Sequence, residues 1–356
     1  MTRVALRQLR TPSLVALVGA AALVVVTLVT GHSVVGDYRS SVADCAKYGD
    51  CGVNTFEFLR RFHTLYRWLD IAMLAVPGLL GVFWGAPLVA RELETGTFRL
   101  AWTQSVMRRR WLSTRLGVGA AVGLVVTGVV TVAVVLWAST IDRVFATPFA
   151  TFDQRGVVPL AYLVFAFALG VLCGVVIRRT VPAMFATLVG FVAARVVVYK
   201  WVRPHLLAPL VRSLPYRLSG PVSVNGPGSG LPGNGLSGGD WIVSDRIYDA
   251  AGRLVGTNGN LGLNAGLQVG VSQNGVVIHG VATCSGPGYA VPFGSGPDAG
   301  AQAVQRCVDS LHLTETFVYQ PPNHYWPIQG IESAIFVAAA LVLALVALWW
   351  VRRRLV

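Results

Sequence analysis

Six apolar stretches, each long enough to cross a lipid bilayer, constrain this sequence more than any other feature. A helix that spans a bilayer needs roughly 17–25 mostly apolar residues, because the lipid offers its backbone amides no water to bind. The stretches cover residues 14–30, 69–90, 116–138, 157–177, 181–201 and 328–351. Charged residues make up only 13% of the 356 residues, about half the fraction found in soluble domains. The sequence therefore predicts an all-α membrane protein with six transmembrane helices.

The first stretch follows three arginines, as the apolar part of a secretory signal does. No convincing small-residue cleavage site follows it and the apolar run is long, so we interpret it as a permanent anchor. A cleaved signal peptide is the alternative.

The distribution of arginine predicts the orientation of the helices. If the N-terminus lies inside, segments 1–13, 91–115, 178–180 and 352–356 face the cytoplasm and hold 14 of the 29 Lys and Arg residues. Inner loops of membrane proteins carry such an excess. We therefore expect a multi-pass protein of the plasma membrane with both termini in the cytoplasm. The net charge of +13 follows from this topology, and we expect no nucleic acid as a partner.

The spans divide the chain into three parts. Residues 1–201 form a transmembrane domain with an outer loop at 31–68 and an inner segment at 91–111, residues 202–327 form an extracytoplasmic insertion, and residues 328–356 form the sixth span and a cytoplasmic tail. The insertion is rich in glycine, since residues 220–300 contain 21 of the 39 glycines. Segments 241–243 and 253–255 predict a hairpin, 276–281 a strand and 301–311 a short helix. We expect a small mixed α/β domain.

Four of the five cysteines lie in the predicted outer segments. An even number of outer cysteines is typical of disulfides in an oxidising compartment. We favour pairing within each segment, Cys45–Cys51 and Cys284–Cys307, and free thiols are the alternative. Cys173 lies within the fourth span.

The sequence contains no recognisable catalytic motif. It has no G-x-x-x-x-G-K-[ST] phosphate loop and no G-x-S-x-G elbow. No pair of its six histidines has metal-ligand spacing. We therefore expect no catalytic residue, metal or cofactor in this chain. If ATP powers its work, ATP and Mg²⁺ are bound by a separate subunit.

The inner segment carries the most specific sequence pattern. It begins Arg91-Glu92-Leu93-Glu94-Thr95-Gly96-Thr97 and continues through Trp102-Thr103-Gln104-Ser105-Val106 to three arginines and Trp111. This pattern resembles the coupling segment of membrane permease subunits of ABC exporters, especially an actinobacterial group. The residues from Tyr319 to Glu332, which include Gln320-Pro321-Pro322 and Trp326-Pro327-Ile328-Gln329, are similar to that group's entry into the last span.

The residues of this segment suit contact with an ATPase subunit. Glu92 and Glu94 near a helix start would favour the helix dipole, Gly96 would allow a turn, and the arginines would suit an acidic groove or an anionic leaflet. A solvated loop whose arginines only set the topology is the alternative. The candidate coupling residues are Arg91, Glu92, Glu94, Gly96, Thr97, Phe98, Trp102, Arg108, Arg109 and Arg110.

Two further features fall within the spans. Arg195 and Glu332 lie near the outer ends of the fifth and sixth spans, where they either reach the membrane surface or pair with each other. Three pairs of glycines at four-residue spacing allow close helix packing, either within the chain or against a second copy: Gly81 and Gly85, Gly119 and Gly123, and Gly170 and Gly174.

The resemblance implies the permease subunit of an ATP-driven exporter. Such a subunit forms the substrate pathway, pairs with a second permease copy as a homodimer or heterodimer, and couples to cytoplasmic ABC ATPase subunits. The alternative is a membrane-anchored extracytoplasmic binding or assembly protein without transport activity, which the large insertion would suit. An anchor needs no ordered inner helix, so the structure of the inner segment discriminates between the two.

Overall fold

The structure is a computed structural model that describes residues 10–43, 52–96, 108–145, 148–216, 239–257, 260–261, 269–272, 274–278, 282–290 and 297–354. The α-helices are α1 (Arg10–Asp37), α2 (Gly52–Leu80), α3 (Ala86–Thr95), α4 (Arg108–Phe145), α5 (Val158–Ile177), α6 (Thr180–Val197), α7 (Pro297–Ser310) and α8 (Tyr325–Arg354). The strands are β1 (Leu210–Pro215), β2 (Trp241–Tyr248), β3 (Leu254–Thr257), β4 (Asn260–Leu261), β5 (Val269–Ser272), β6 (Gly275–Ile278), β7 (Ala282–Ser285) and β8 (Thr314–Gln320). Short π-helical segments follow α1 (Tyr38–Ala43), join α2 to α3 (Gly81–Gly85) and follow α6 (Val198–Val202).

The chain divides into two compact units. The membrane unit comprises Met1–Ala146, Thr151–Leu206 and Tyr325–Val356, and the sheet unit comprises Thr147–Ala150 and Leu207–His324. All the long apolar helices belong to the membrane unit, and the strands belong to the sheet unit.

The six predicted spans are confirmed. Six helical runs in the described residues are long and apolar enough to cross a membrane: Leu17–Ser40, Arg60–Thr95, Leu116–Asp142, Val158–Ile177, Thr180–His205 and Pro322–Arg353. Most are longer than predicted, because a helix does not end where its apolar residues end. The second span, for example, continues past its apolar residues to the left-handed Gly96.

In the outer loop at 31–68, the three- and four-residue spacing of apolar residues from Phe58 to Leu69 predicts an amphipathic helix that leads into the second span, and the structure contains this helix. Helix α1 continues to Asp37, and α2 begins at Gly52. The amphipathic part of α2 is continuous with the second span, and Phe58 and Phe62 pack in one buried cluster with Val34 and Trp137. The apolar face of this segment is therefore covered by helices of the membrane unit. Cys45 and Cys51 lie outside the described residues, so their pairing stays a prediction.

Helix α5 lies at the centre of the membrane unit. In its most apolar stretch 61% of the residues are buried, against 11–44% in the other five spans. Glycines make this burial possible: a Cβ at Gly174 would lie 2.6 Å from the backbone oxygen of Ala86, and one at Gly81 would lie 2.6 Å from that of Ala166. A Cβ at Gly119 would collide with the ring of Phe167. The glycine pairs therefore serve packing within the chain.

The sheet unit contains two antiparallel sheets. The larger has the strand order β1-β8-β2-β3-β4, and the smaller has the order β5-β6-β7. The predicted hairpin is formed by β2 and β3, and Asp249 closes its turn by accepting hydrogen bonds from the backbone of Ala251 and Arg253. The structure also contains a disulfide between Cys284 and Cys307, which joins β7 to α7. Both sulfurs lie in a buried core with Ile247.

Two carboxyl groups face the interior of the sheet unit. Asp245 on β2 and Glu315 on β8 are both buried, and they lie on the same face because Glu315 pairs with Ile247 and Asp245 pairs with Phe317. Burial and the neighbouring, hydrogen-bonded Asp245 raise the pKa of Glu315 to about 8. Burial and the charges of both carboxyl groups raise the pKa of Tyr216 to about 12. The two acids therefore share a proton near neutral pH.

This shared proton predicts that the sheet unit loses stability as pH rises. The raised pKa of Glu315 means that the folded state holds a proton that the unfolded state releases above about pH 4.3. The contribution of Glu315 to stability is therefore fully present below that pH and is lost as pH rises through about 8, by at most about 1.4 kcal/mol per pH unit. We expect Glu315→Gln to remove most of this dependence.

Hydrogen exchange of the full chain in lipid nanodiscs would measure the effect, with rates for β2 and β8 corrected for intrinsic exchange. Asp309→Asn is the matched control, because Asp309 is an exposed acid on α7. Equal protection of the wild-type strands at pH 6 and pH 9 would show that the carboxyl pair holds no shared proton.

Candidate functional site

The inner end of the second span is an ordered helix. The π-helical segment Gly81–Gly85 passes directly into α3, so the helical run that begins in α2 extends to Thr95. Ala86 and Ala90 are buried against Ala183 of α6. The run ends at Gly96, whose φ of 72° lies in the left-handed region that favours glycine. The inner segment thus begins as an ordered helix packed on the membrane unit.

The structure corrects the predicted position of the two glutamates. Glu92 and Glu94 lie in the last turn of α3, where the helix dipole disfavours carboxylates, and not at a helix start. Glu94 instead accepts hydrogen bonds from the backbone N–H of Thr180 at 2.9 Å and from its hydroxyl group at 2.6 Å. Thr180 is the first residue of α6, so Glu94 caps that helix from a neighbouring one.

The other candidate coupling residues fall in three groups. Arg91 is exposed on α3. The first turn of α4 contains Arg108, Arg109 and Arg110. Thr97, Phe98 and Trp102 lie outside the described residues. Contact of this segment with an ATPase stays a prediction.

A second site is a cluster of four charged side chains and one tyrosine, which we call the ion cluster: Asp153, Tyr162, Arg195, Arg203 and Glu332. Arg203 Nε donates to Glu332 Oε2 at 2.7 Å, and Arg203 Nη2 binds Asp153 Oδ1. The Tyr162 hydroxyl lies 2.8 Å from Asp153 Oδ1 and 2.5 Å from Glu332 Oε1. Arg195 Nη2 lies 3.4 Å from Asp153, and its guanidinium lies 3.7 Å from the centre of the Tyr162 ring.

The ion cluster is buried and balanced. The side chains of Arg203 and Glu332 are 4% and 1% exposed, so Glu332 does not reach the surface. Two carboxylates and two guanidinium groups cancel in charge. Isolated charges could not be buried at this depth, whereas paired and hydrogen-bonded charges can. The cluster therefore binds α5, α6 and α8 to the loop before α5.

The predicted Arg195–Glu332 pair is replaced by two other pairs. Glu332 binds Arg203, and Arg195 binds Asp153. Arg203 lies two residues after the predicted end of the fifth span at 201, within the predicted insertion, so the apolar pattern does not mark it as part of a span. Its position eight residues after Arg195, close to two helical turns, was the signal that could have found it.

The loop from Thr151 to Val157 is held by a third set of contacts. Gln329 of α8 accepts from the backbone N–H of Val157 at 3.1 Å and donates to the backbone oxygens of Phe152 and Arg155 at 2.9 and 3.1 Å. Arg155 Nε lies 3.3 Å from Asp142 on α4. This gives Gln329, part of the second sequence match, a role in fixing the start of α5.

These features define a multi-pass helical membrane protein whose second span extends into an ordered helix. The sequence model of one protein family, described as ABC-2 membrane transporter related, matches residues 17–203. This match covers more than half of the 356 residues. The chain therefore belongs to the ABC-2 membrane transporter related family, as a membrane permease component. Such components generally pair with an ATPase subunit. No curated protein and no solved structure matches the chain.

We expect the removal of one arginine from the ion cluster to lower the stability of the fold strongly. Arg203→Met would leave Glu332 buried without its arginine while Arg195 still binds Asp153, and breaking a buried ion pair in this way costs about 3–5 kcal/mol. Adding Glu332→Gln restores the charge balance, so we expect the double variant to regain part of the lost stability. Thermal unfolding of the full chain in lipid nanodiscs would measure both.

Lys200→Met is the matched control, because Lys200 is exposed three residues before Arg203. We expect it to unfold within a degree or two of the wild type. If Arg203→Met and Lys200→Met unfold at the same temperature, the ion cluster does not hold the helices together.

Proposed function

We propose that this chain is the transmembrane permease subunit of an ATP-driven exporter. It forms the substrate pathway together with a second permease copy, identical or related, and couples to cytoplasmic ABC ATPase subunits. ATP and Mg²⁺ are bound by those subunits, and the chain itself is not an enzyme. Within the family that the chain belongs to, this assignment specifies the energy source, the direction of transport and the partners.

Helix α3 is the observation that carries the proposal. It continues the second span without a break beyond the apolar stretch and is buried on one side by Ala86 and Ala90. Arg91 and Glu94 are exposed near its tip. A partner that pushes on this tip would move the inner end of the second span, because α3 continues that span and packs against α6. A membrane anchor without transport has no need of such a helix, so α3 disfavours that alternative.

The charge distribution supports the orientation that the proposal requires. With both termini inside, the tip of α3 and the arginine-rich start of α4 lie on the cytoplasmic side, where ATP is available. The sheet unit then lies outside the cell. The disulfide between Cys284 and Cys307 suits that placement, since such bonds persist in oxidising compartments.

The exposed Arg91 offers a test of ATPase docking that does not disturb the fold. If Arg91 binds an acidic group in a partner groove, Arg91→Glu leaves that group facing a like charge. Loss of a buried interfacial charge pair costs about 2–5 kcal/mol, which weakens binding more than tenfold. The measurement is the amount of a protein with a phosphate-loop motif that co-purifies with the tagged full chain from its own membrane, together with ATP hydrolysis by that complex.

Arg67→Glu is the matched control, because Arg67 is an exposed arginine on α2 of the same helical run. A charge reversal at a solvated position costs under about 1 kcal/mol, so we expect this variant to retain the ATPase. Wild-type levels of ATPase and of ATP hydrolysis in Arg91→Glu would exclude Arg91 from docking. Absence of any ATPase from the wild-type preparation would contradict the proposed function itself.

A further inference from the structure

The contact between Glu94 and Thr180 joins two spans that are distant in the sequence. One carboxylate oxygen of Glu94 receives both the backbone N–H and the hydroxyl group of Thr180. Arg179, which precedes α6, is in extended conformation and supplies no side-chain cap of its own. The first turn of α6 therefore draws its side-chain cap from α3, at the point where α3 ends.

Apolar contacts reinforce this connection. One turn before Glu94, Ala90 is buried together with Ala86 and with Ala183 of α6. Small side chains allow the two helices to approach closely, so α3 and α6 are in contact along a face of small apolar side chains that ends at the Glu94 cap. A displacement of the tip of α3 would act on α6 through this contact.

The other end of α6 is also held. The helical run from Thr180 to His205 is about 39 Å long at 1.5 Å per residue, enough to cross a bilayer. At its far end Arg195 and Arg203 bind Asp153 and Glu332 in the ion cluster. Since both ends are fixed by directed polar contacts, α6 can transmit a movement at one end to the other.

We propose that Glu94 is a positioning residue that couples the inner segment to the fifth span by capping α6. This inference rests on the proposed function and assigns one of its predicted ATPase contacts a different role. Glu94 binds the membrane unit itself, whereas docking falls to neighbouring residues such as Arg91. Loss of the Glu94 cap then uncouples the fifth span without releasing the ATPase.

Four substitutions in the full chain separate these roles. Glu94→Ala removes the acceptor, and Thr180→Val removes the hydroxyl donor. Glu94→Gln retains an acceptor oxygen, and Thr180→Ser retains both donors, so these two are the conservative controls. Loss of a helix cap shifts a local equilibrium by about twofold to thirtyfold, and we expect a loss of coupling in that range for the first two variants.

Two readouts are needed for each variant. The first is the amount of ATPase that co-purifies with the chain. The second is the change, on adding a non-hydrolysable ATP analogue, in the distance between spin labels at Ser40 and Lys200, exposed positions that follow α1 and α6. We expect Glu94→Ala and Thr180→Val to retain the ATPase and to lose most of the change in distance. The conservative variants should retain both.

Two outcomes would overturn the inference while leaving the proposed function intact. A full nucleotide-dependent change in Glu94→Ala would mean that the cap transmits nothing. Loss of the ATPase from Glu94→Ala, with Thr180→Val unaffected, would mean that Glu94 contacts the partner directly. Absence of the ATPase from the wild-type chain would remove the proposed function, and this inference with it.

Discussion

The membrane unit depends on the close approach of α5 to the helical run around Gly81 and Gly85. Lipid tails are as apolar as leucine, so burying apolar side chains contributes little to helix association in a bilayer. Close contact between backbones is the main alternative, and it requires glycine or another small residue at the point of contact. Gly170 faces the backbone of Gly81, and Gly174 faces that of Ala86. Larger side chains at these glycines would push α5 away from the centre of the membrane unit. They would also displace the loop before α5, which contributes Asp153 to the ion cluster.

Polar contacts add direction to this packing. The ion cluster fixes α6 and α8 to the loop before α5, and Gln329 fixes the same loop by its backbone. At the other end of the spans, Glu94 fixes α3 to α6. A few directed contacts at the two ends thus fix how the closely packed spans are arranged.

Composition and periodicity predicted the spans, the hairpin and the disulfide partners of the insertion, because each depends on residues close in the sequence. Of the ion cluster, the sequence indicated only Arg195 and Glu332. Apart from Tyr162, the other members lie 42 to 179 residues from Asp153 in the sequence. The pairing of Glu332 with Arg203 rather than with Arg195 depends on helix packing. The role of Glu94 was missed for a related reason. Gly96 is the signal that could have marked a helix end at Thr95, whereas the contact of Glu94 with Thr180 depends on the packing of two distant helices.

The side of the membrane on which α3 ends is the claim that a single measurement tests most directly. Thr95→Cys and Arg253→Cys place a thiol at the exposed end of α3 and at an exposed turn of the sheet unit. A membrane-impermeant maleimide is applied to intact and to permeabilised cells, and the unsubstituted chain gives the background. We predict that intact cells label Arg253→Cys and leave Thr95→Cys unlabelled until permeabilised. Labelling of Thr95→Cys in intact cells would place α3 outside and contradict coupling to a cytoplasmic ATPase.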